Sequence, residues 1–434
     1  MGVAKVWPVL QTSHSRRQCS GSASYRPLNR VSCSRTRHVR LDATRRQRAG
    51  AQARQRGRAR SDGHGRPGAL PAAPTSLTTQ RFIALLASHP YFRLHALGAS
   101  ERSAGKPYGQ VVRWRQTVRL PDAVANLVVQ PCTPKAFADC PIVFSGLDAD
   151  VAGEIESAFR AAELAVFSNA KNFRMDPLVP LLVPLADMSH FEILAAQRKS
   201  VGLDRGFIMT NANCAVTGLA VALYALEQRF GPVSEVCVTT LQAVSGAGYP
   251  GVPSLDIYDN VVPYIGGEED KLETELQKIL GGVCASGASA LPHRSDMKVS
   301  ATCTRVAVLD GHTEAVSVKF ANATPSPEEA AECLRAFVSD AQKLGCPSAP
   351  PRCAIVVHDA IDRPQPRLDR DEQGGACVHV GRLRPCSIFG LKFVCACAQL
   401  GRADRAVLSS NTNIGAATSS VINAEYAYAK GFLG

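Results

Sequence analysis

From Gln80 onward, short apolar strand patterns alternate with helix patterns, and that alternation leaves few folds open. Arg81 to Ser88 reads as a helix and Leu94 to Gly98 as a buried strand running into a loop. Pro141 to Ser145 reads as a strand, followed by a helix pattern through Ile155, Ala158 and Phe159. Ala165 to Ser168 is a further strand. Strands separated by helices imply a parallel sheet, with ligands at the carboxyl ends of its strands. Another strand, Gly206 to Thr210, enters a polar turn and then an apolar helix from Thr217 through Leu226. The second half differs. Val236 to Thr240, Val299 to Val308 and Glu314 to Lys319 are β-branched or alternating, which predicts a mixed or antiparallel sheet. Ser-Pro-Glu-Glu opens a helix over Pro325 to Lys343, and a last apolar helix runs from Ser419 to Phe432.

The chain of 434 residues is long enough for two packed domains. No apolar run approaches the roughly 20 residues that span a bilayer. The formal charge of +12 is unevenly placed: residues 1–70 hold fifteen Arg and one Lys against Asp42 and Asp62, a net of +14, which leaves −2 for the rest. That basic segment has no helix or strand period and reads as an unfolded tail. An organelle transit peptide shares its composition, and a nucleic-acid-binding tail is the rival reading. The body expects no nucleic-acid and no membrane partner. Fifteen scattered cysteines without a Cys-x-x-Cys pair point to a reducing, cytoplasmic setting. Cys395-Ala-Cys397 has no ligand partners nearby in sequence, so no metal is expected.

Cys214 is the strongest chemical signal. The strand–turn–helix pattern around Asn213-Cys214 puts the sulfur near a helix N-terminus, where unpaired N–H groups favour a thiolate and can hold an oxyanion or phosphate. A free cysteine is also commonly a small buried hydrophobe. The loop Gly98-Ala-Ser-Glu-Arg-Ser-Ala-Gly-Lys106, after an early strand, suits a 2′-phosphate and so points to NADP rather than NAD.

Several motifs, in order, make the chain resemble the aspartate-semialdehyde dehydrogenases of fungi and archaea, over about residues 80–394 and 407–434. The Ala99 to Lys106 loop resembles the 2′-phosphate loop of that family. Phe144-Ser-Gly-Leu147 resembles its nicotinamide-side strand end, and Ser168 to Met175 a phosphate-binding segment. Asn213-Cys214 matches the nucleophile, and Gln242 to Gly248 a segment lining the active site. Gly266 to Lys271, Arg305 and His312 match substrate-binding and acid–base positions. Ser410-Asn-Thr412 and Gly415-Ala-Ala417 match a returning cofactor loop.

The resemblance implies a Rossmann-like NADP(H) domain over 79–213 and an α+β catalytic and dimerisation domain with a mixed sheet over 214–390. Residues 1–78 would be tail, and 391–434 an insertion and a returning helix. It implies Cys214, His312 and Gln242 as catalytic residues. Arg305, Glu268, Lys271, Arg174 and Asn213 would meet substrate and inorganic phosphate. Ser100, Arg102, Ser103, Ser145, Gly146, Ser245, Gly246, Asn411 and Thr412 would meet the cofactor. The implied reaction is NADPH-dependent reduction of L-aspartyl 4-phosphate to L-aspartate 4-semialdehyde through a cysteine thioester, in a homodimer or homotetramer. That step leads to lysine, threonine, methionine and isoleucine. A reductase acting on an N-acylated glutamyl phosphate is the rival enzyme, and Glu268 facing a free amine argues against it.

Two stretches depart from the family. Its first strand and Gly-x-x-Gly-x-x-Gly turn are replaced by Ala73-Pro-Thr-Ser-Leu-Thr-Thr-Gln-Arg-Phe82, with Pro67, Pro71 and Pro74 where a central strand should run. The first strand is therefore expected to be absent or remade. Cys395 to Ala406 intervenes before the returning loop. A misassigned first exon with a retained intron fits both edges; so does a catalytically impaired paralogue that keeps the dimer.

Overall fold

The computed structural model describes residues 3–8 by their backbone, and 76–116, 118–282, 290–397 and 416–433 in full. Asn411 and Thr412 lie outside the described residues. The strands are β1 (Val3–Pro8), β2 (Phe92–Ala99), β3 (Gln130–Pro131), β4 (Ile142–Ser145), β5 (Ala165–Ser168), β6 (Leu181–Leu182), β7 (Phe207–Asn211), β8 (Val233–Gln242), β9 (Lys298–Arg305), β10 (His312–Phe320), β11 (Ile355–His358), β12 (Val378–Cys386) and β13 (Gly390–Cys397). They form one seven-stranded sheet, ordered β3-β2-β1-β4-β5-β7-β6, and one six-stranded sheet, ordered β11-β12-β13-β10-β8-β9.

In the first sheet β4, β5, β7 and β6 are mutually parallel, and β2 pairs in parallel with β3. Its strands are short and apolar because both faces are covered. Ile142 and Phe144 face one cluster, with the Leu77–Leu86 and Thr418–Ala429 helices. Val143 between them faces the other, with the Ala149–Ala161 helix. The expected gap in this sheet is filled, and by an unexpected segment. β1 comes from the stretch read as tail and lies between β2 and β4, antiparallel to both, with Val3 opposite Gly98 and Ser145. The slot is therefore remade rather than vacant. Val3, Val6 and Trp7 have the strand preference for it, but six residues ahead of an arginine-rich segment carry too weak a pattern to read.

The second sheet is mixed, as expected. It buries one face, alternating along β10: His312, Glu314, Val316, Val318 and Phe320 point inward. Against them lie the Cys214–Phe230, Glu268–Ile279 and Pro327–Ala336 helices. The single helix expected over Pro325 to Lys343 is two. Phe337 leaves helical backbone, and Ser339 opens a second helix, Asp340–Lys343, with its own capping box to Gln342. The start of the expected insertion is sheet: Cys395, Ala396 and Cys397 continue β13, paired with Glu314, Thr313 and His312. Among the described residues no helix is long and apolar enough to cross a membrane.

Glu314 is fully buried and accepts a hydrogen bond from Cys395 Sγ at 3.2 Å. Burial pushes its carboxyl up to about 8, so it is neutral at pH 7. The unfolded chain ionises near the ordinary carboxyl range. Wild-type stability therefore falls as pH rises from there towards 8, by about 1.4 kcal/mol per unit. Glu314→Gln removes that fall. In urea unfolding the variant should gain roughly 3 kcal/mol on wild type between about pH 5 and about pH 7. Parallel profiles would contradict a neutral buried Glu314.

Candidate active site

The carboxyl ends of β2, β4, β5 and β7 share one edge of the first sheet, and the site begins there. β7 ends at Asn211, and three residues later Cys214 opens the Cys214–Phe230 helix. Asn213 is its N-cap: Oδ1 accepts from Ala215 N at 2.9 Å, and the carbonyl accepts from Thr217 N and Oγ1. The second sheet brings the remaining groups. Gln242 ends β8, Arg305 ends the parallel β9 beside it, and His312 starts the antiparallel β10, so all three reach the same end. His312 is fully buried at the start of its strand.

Cys214 Sγ lies 3.1 Å from His312 Nε2. On the other side of the ring, Nδ1 accepts the Ala243 N–H at 3.1 Å. Nδ1 thus keeps its lone pair, and the neutral ring carries its proton on Nε2, facing the sulfur. Burial, then Arg305, drives His312 down to about 4. The helix N-terminus was expected to favour a thiolate at Cys214. The helix is there, but burial and then Glu268 push the thiol up to about 12, against Arg305, Arg174 and the Ala215 N–H. Desolvation outweighs the helix end, so the resting pair is a thiol and a neutral imidazole.

Arg305 Nη1 donates to Ala243 O at 2.9 Å and to Gln242 Oε1 at 3.4 Å. Glu268, the first residue of the Glu268–Ile279 helix, is buried. It accepts from Lys271 Nζ at 2.6 Å, Asn213 Nδ2 at 2.9 Å and Gln242 Nε2 at 3.4 Å. Its pKa is lowered: burial opposes ionisation, but Lys271, Asn213 and Gln242 together outweigh it. Arg174, in the loop after β5, pairs with Glu275 at 2.8 Å. All eight expected catalytic and substrate residues are therefore tied into one network or its direct neighbours.

Gly246, expected near the cofactor, packs closely against Arg305 and His312. A Cβ there would lie 2.8 Å from Arg305 Nη1 and 3.1 Å from His312 Cε1. Gly246→Ala should displace both and lower kcat/KM by roughly 10- to 100-fold with the thermal midpoint little changed. Unchanged kinetics would contradict the close approach. Ser245 beside it donates to Leu309 O at 2.7 Å.

The expected cofactor residues divide. Ser100 and Arg102 are exposed, and Ser103 buried, in the loop after β2. Gly146 follows β4 directly. Ser145 does not offer its hydroxyl: Oγ donates to buried Glu156 at 2.5 Å, as Ser168 does at 2.8 Å. Sequence reasoning missed Glu275, which also accepts the Asn213 N–H at 2.6 Å, and Lys278. It missed Asn211 as well, whose Nδ2 reaches Asn169 Oδ1, Ser420 Oγ and Ala416 O and ties β7 to the returning helix.

A family model described as the semialdehyde dehydrogenase NAD-binding domain matches residues 74–193, and one described as the semialdehyde dehydrogenase dimerisation domain matches 223–401. An aspartate-semialdehyde dehydrogenase of Cryptococcus neoformans is 59% identical over 83% of this chain and 96% of its own length. The chain belongs to the aspartate-semialdehyde dehydrogenase family. Relatives of that name from Aspergillus fumigatus (55% identical) and Saccharomyces cerevisiae (48%) each cover 83% of the chain, and 96% and 97% of their own lengths. The solved aspartate-semialdehyde dehydrogenase of Candida albicans with NADP superposes with a TM-score of 0.74 at 48% identity, over 82% of this chain and 96% of that one. The aspartate-semialdehyde dehydrogenase fold is thus shared over most of this chain.

Proposed function

We propose that the chain catalyses the NADP-dependent, phosphate-linked interconversion of L-aspartate 4-semialdehyde and L-aspartyl 4-phosphate, the step of amino-acid biosynthesis its family name denotes. The observation that carries this reading is Cys214 Sγ held 3.1 Å from His312 Nε2, beside a buried guanidinium and a buried carboxylate of opposite charge. Arg305 and Glu268, both bonded to Gln242, together suit a substrate with an α-carboxylate and an α-ammonium. Glu268 is among the groups that hold the Cys214 thiol up. A substrate ammonium against Glu268 offsets that contribution and brings the sulfur towards its reactive form. Cys214 then attacks the acyl carbon, the thiol proton departs with the leaving phosphate, and a thioester forms. His312 supplies its Nε2 proton to the developing oxyanion or sulfur. Gln242 orients Arg305 and Glu268, to both of which it is bonded. Arg174, Lys271 and Asn213 hold the phosphate.

The residues present suit the 2′-phosphate end of NADP: Ser100, Arg102 and Ser103 would hold it, with Gly146, Ser245 and Gly246 nearer the nicotinamide. Ser76 caps the Leu77–Leu86 helix where the family has its glycine turn. The cofactor supplies the hydride that reduces the thioester. Dimerisation fits the outer face of the second sheet, where Cys237, Thr239 and Leu241 on β8 are exposed, while Leu255, Tyr258 and Tyr264 are exposed in the segment that bridges to β9 through Val262 and Arg305. The twelve described cysteines are all unpaired, which supports a reducing, cytoplasmic setting.

The test is NADP⁺ reduction by L-aspartate 4-semialdehyde with and without inorganic phosphate, beside an aldehyde lacking the amino group. Strict phosphate dependence and loss of turnover with the deaminated aldehyde are expected. Turnover indifferent to both would overturn the reading.

A further inference from the structure

Along the Glu268–Ile279 helix, Glu268, Lys271, Glu275 and Lys278 recur at intervals of three and four, so they share one face. That face is turned inward, where apolar residues belong. Glu275 is 2% exposed and Lys278 fully buried. Charged groups in such places need specific partners, and the partners here are parts of the active site.

Glu275 spans two of them. Its Oε1 accepts from Arg174 Nη1 at 2.8 Å, and its Oε2 accepts from the Asn213 N–H at 2.6 Å. Arg174 Nη2 is fixed on Asn169 O at 2.9 Å, which leaves Nε a buried donor without a hydrogen-bond partner. One turn on, Lys278 Nζ donates to the carbonyls of Arg174, Asp176 and Val179 at 2.7, 2.6 and 2.8 Å, holding the backbone that carries Arg174. A pair that served the fold alone would have no need to grip the N–H directly before the nucleophile.

We propose that Glu275 is a positioning residue of the reaction: one carboxylate fixes Arg174 and the Asn213-Cys214 turn at a set spacing, so that phosphate and sulfur meet the same carbon. The proposal rests on the reading of Arg174 as a phosphate ligand. It acts on geometry, since removing the carboxylate by itself adds positive charge near the anion and would tighten binding.

The test needs no cofactor. Cys214 is alkylated with iodoacetamide in the full chain, its peptide is followed by mass spectrometry, and inorganic phosphate is titrated as protectant. Glu275→Gln keeps the shape and loses the charge. Glu275→Asp keeps the charge but is one methylene too short to bridge both partners, and it keeps the test open if the Gln variant does not fold. Both should need at least about tenfold more phosphate for half-protection, the scale expected for a group displaced by a fraction of an ångström. In turnover the phosphate KM should rise equally, with the aldehyde KM within about twofold of wild type. Half-protection unchanged or at lower phosphate in folded variants would overturn the proposal while leaving the phosphate site intact. A wild type that phosphate does not protect would take the underlying reading down with it.

Discussion

Replacing Cys214 by alanine should abolish turnover, with a loss on the order of 10⁴-fold or more, as for other nucleophiles that form covalent intermediates. The size follows from the arrangement. His312, Arg305 and Glu268 all converge on the sulfur or on a substrate attached to it, and among the described residues Cys214 is the nucleophile bonded to His312 Nε2. The substitution removes one atom from a partly covered position, so the thermal midpoint should stay within a few degrees. Binding should survive as well, because Arg305 and Glu268 keep each other through Gln242. An alanine variant retaining a tenth of wild-type activity would refute covalent catalysis at this residue.

His312→Gln is expected to cost about 10²- to 10⁴-fold in kcat, the usual share of a positioned acid. Glutamine reaches towards the sulfur with an N–H but cannot yield its proton. The comparison therefore separates proton transfer from mere hydrogen bonding. Because burial and Arg305 hold His312 down at about 4, its neutral form persists through the physiological range. The wild-type kcat profile should show no histidine limb between about pH 6 and about pH 8. A limb at the ordinary histidine value, lost in His312→Gln, would mean that the ring is protonated in the working enzyme and that the Ala243 N–H does not set its tautomer.

Much of this site is legible in the sequence because its residues stand at element boundaries. Cys214, Gln242, Arg305, His312 and Glu268 each begin or end a strand or helix, where patterns of period 2 or 3.6 break off. What escaped has physical causes. β1 is six residues long and pairs with one strand about ninety positions away and another about 140 away, so its identity depends on a slot in the sheet more than on its own pattern. Cys395 to Cys397 alternate weakly and show as strand only against β10 and β12. The thiol pKa turned on burial, which the helix N-terminus alone does not report. Glu275 and Lys278 did leave a signal: charges at i+7 and i+10 from Glu268 on one helix face, unusual for a helix that must bury that face. Ser145 sits at its expected place but turns its hydroxyl inward to Glu156, a contact set by the packing of β4 on the Ala149–Ala161 helix.

The most direct measurement is a single-turnover experiment without phosphate. Wild-type protein is mixed with L-aspartate 4-semialdehyde and NADP⁺, quenched rapidly, and its peptides are weighed. The account predicts a burst of NADPH of one equivalent per active site, an aspartyl group on the Cys214 peptide, and release of that group when phosphate is added. NADPH formation without acylation of Cys214, or acylation at another cysteine, would contradict it.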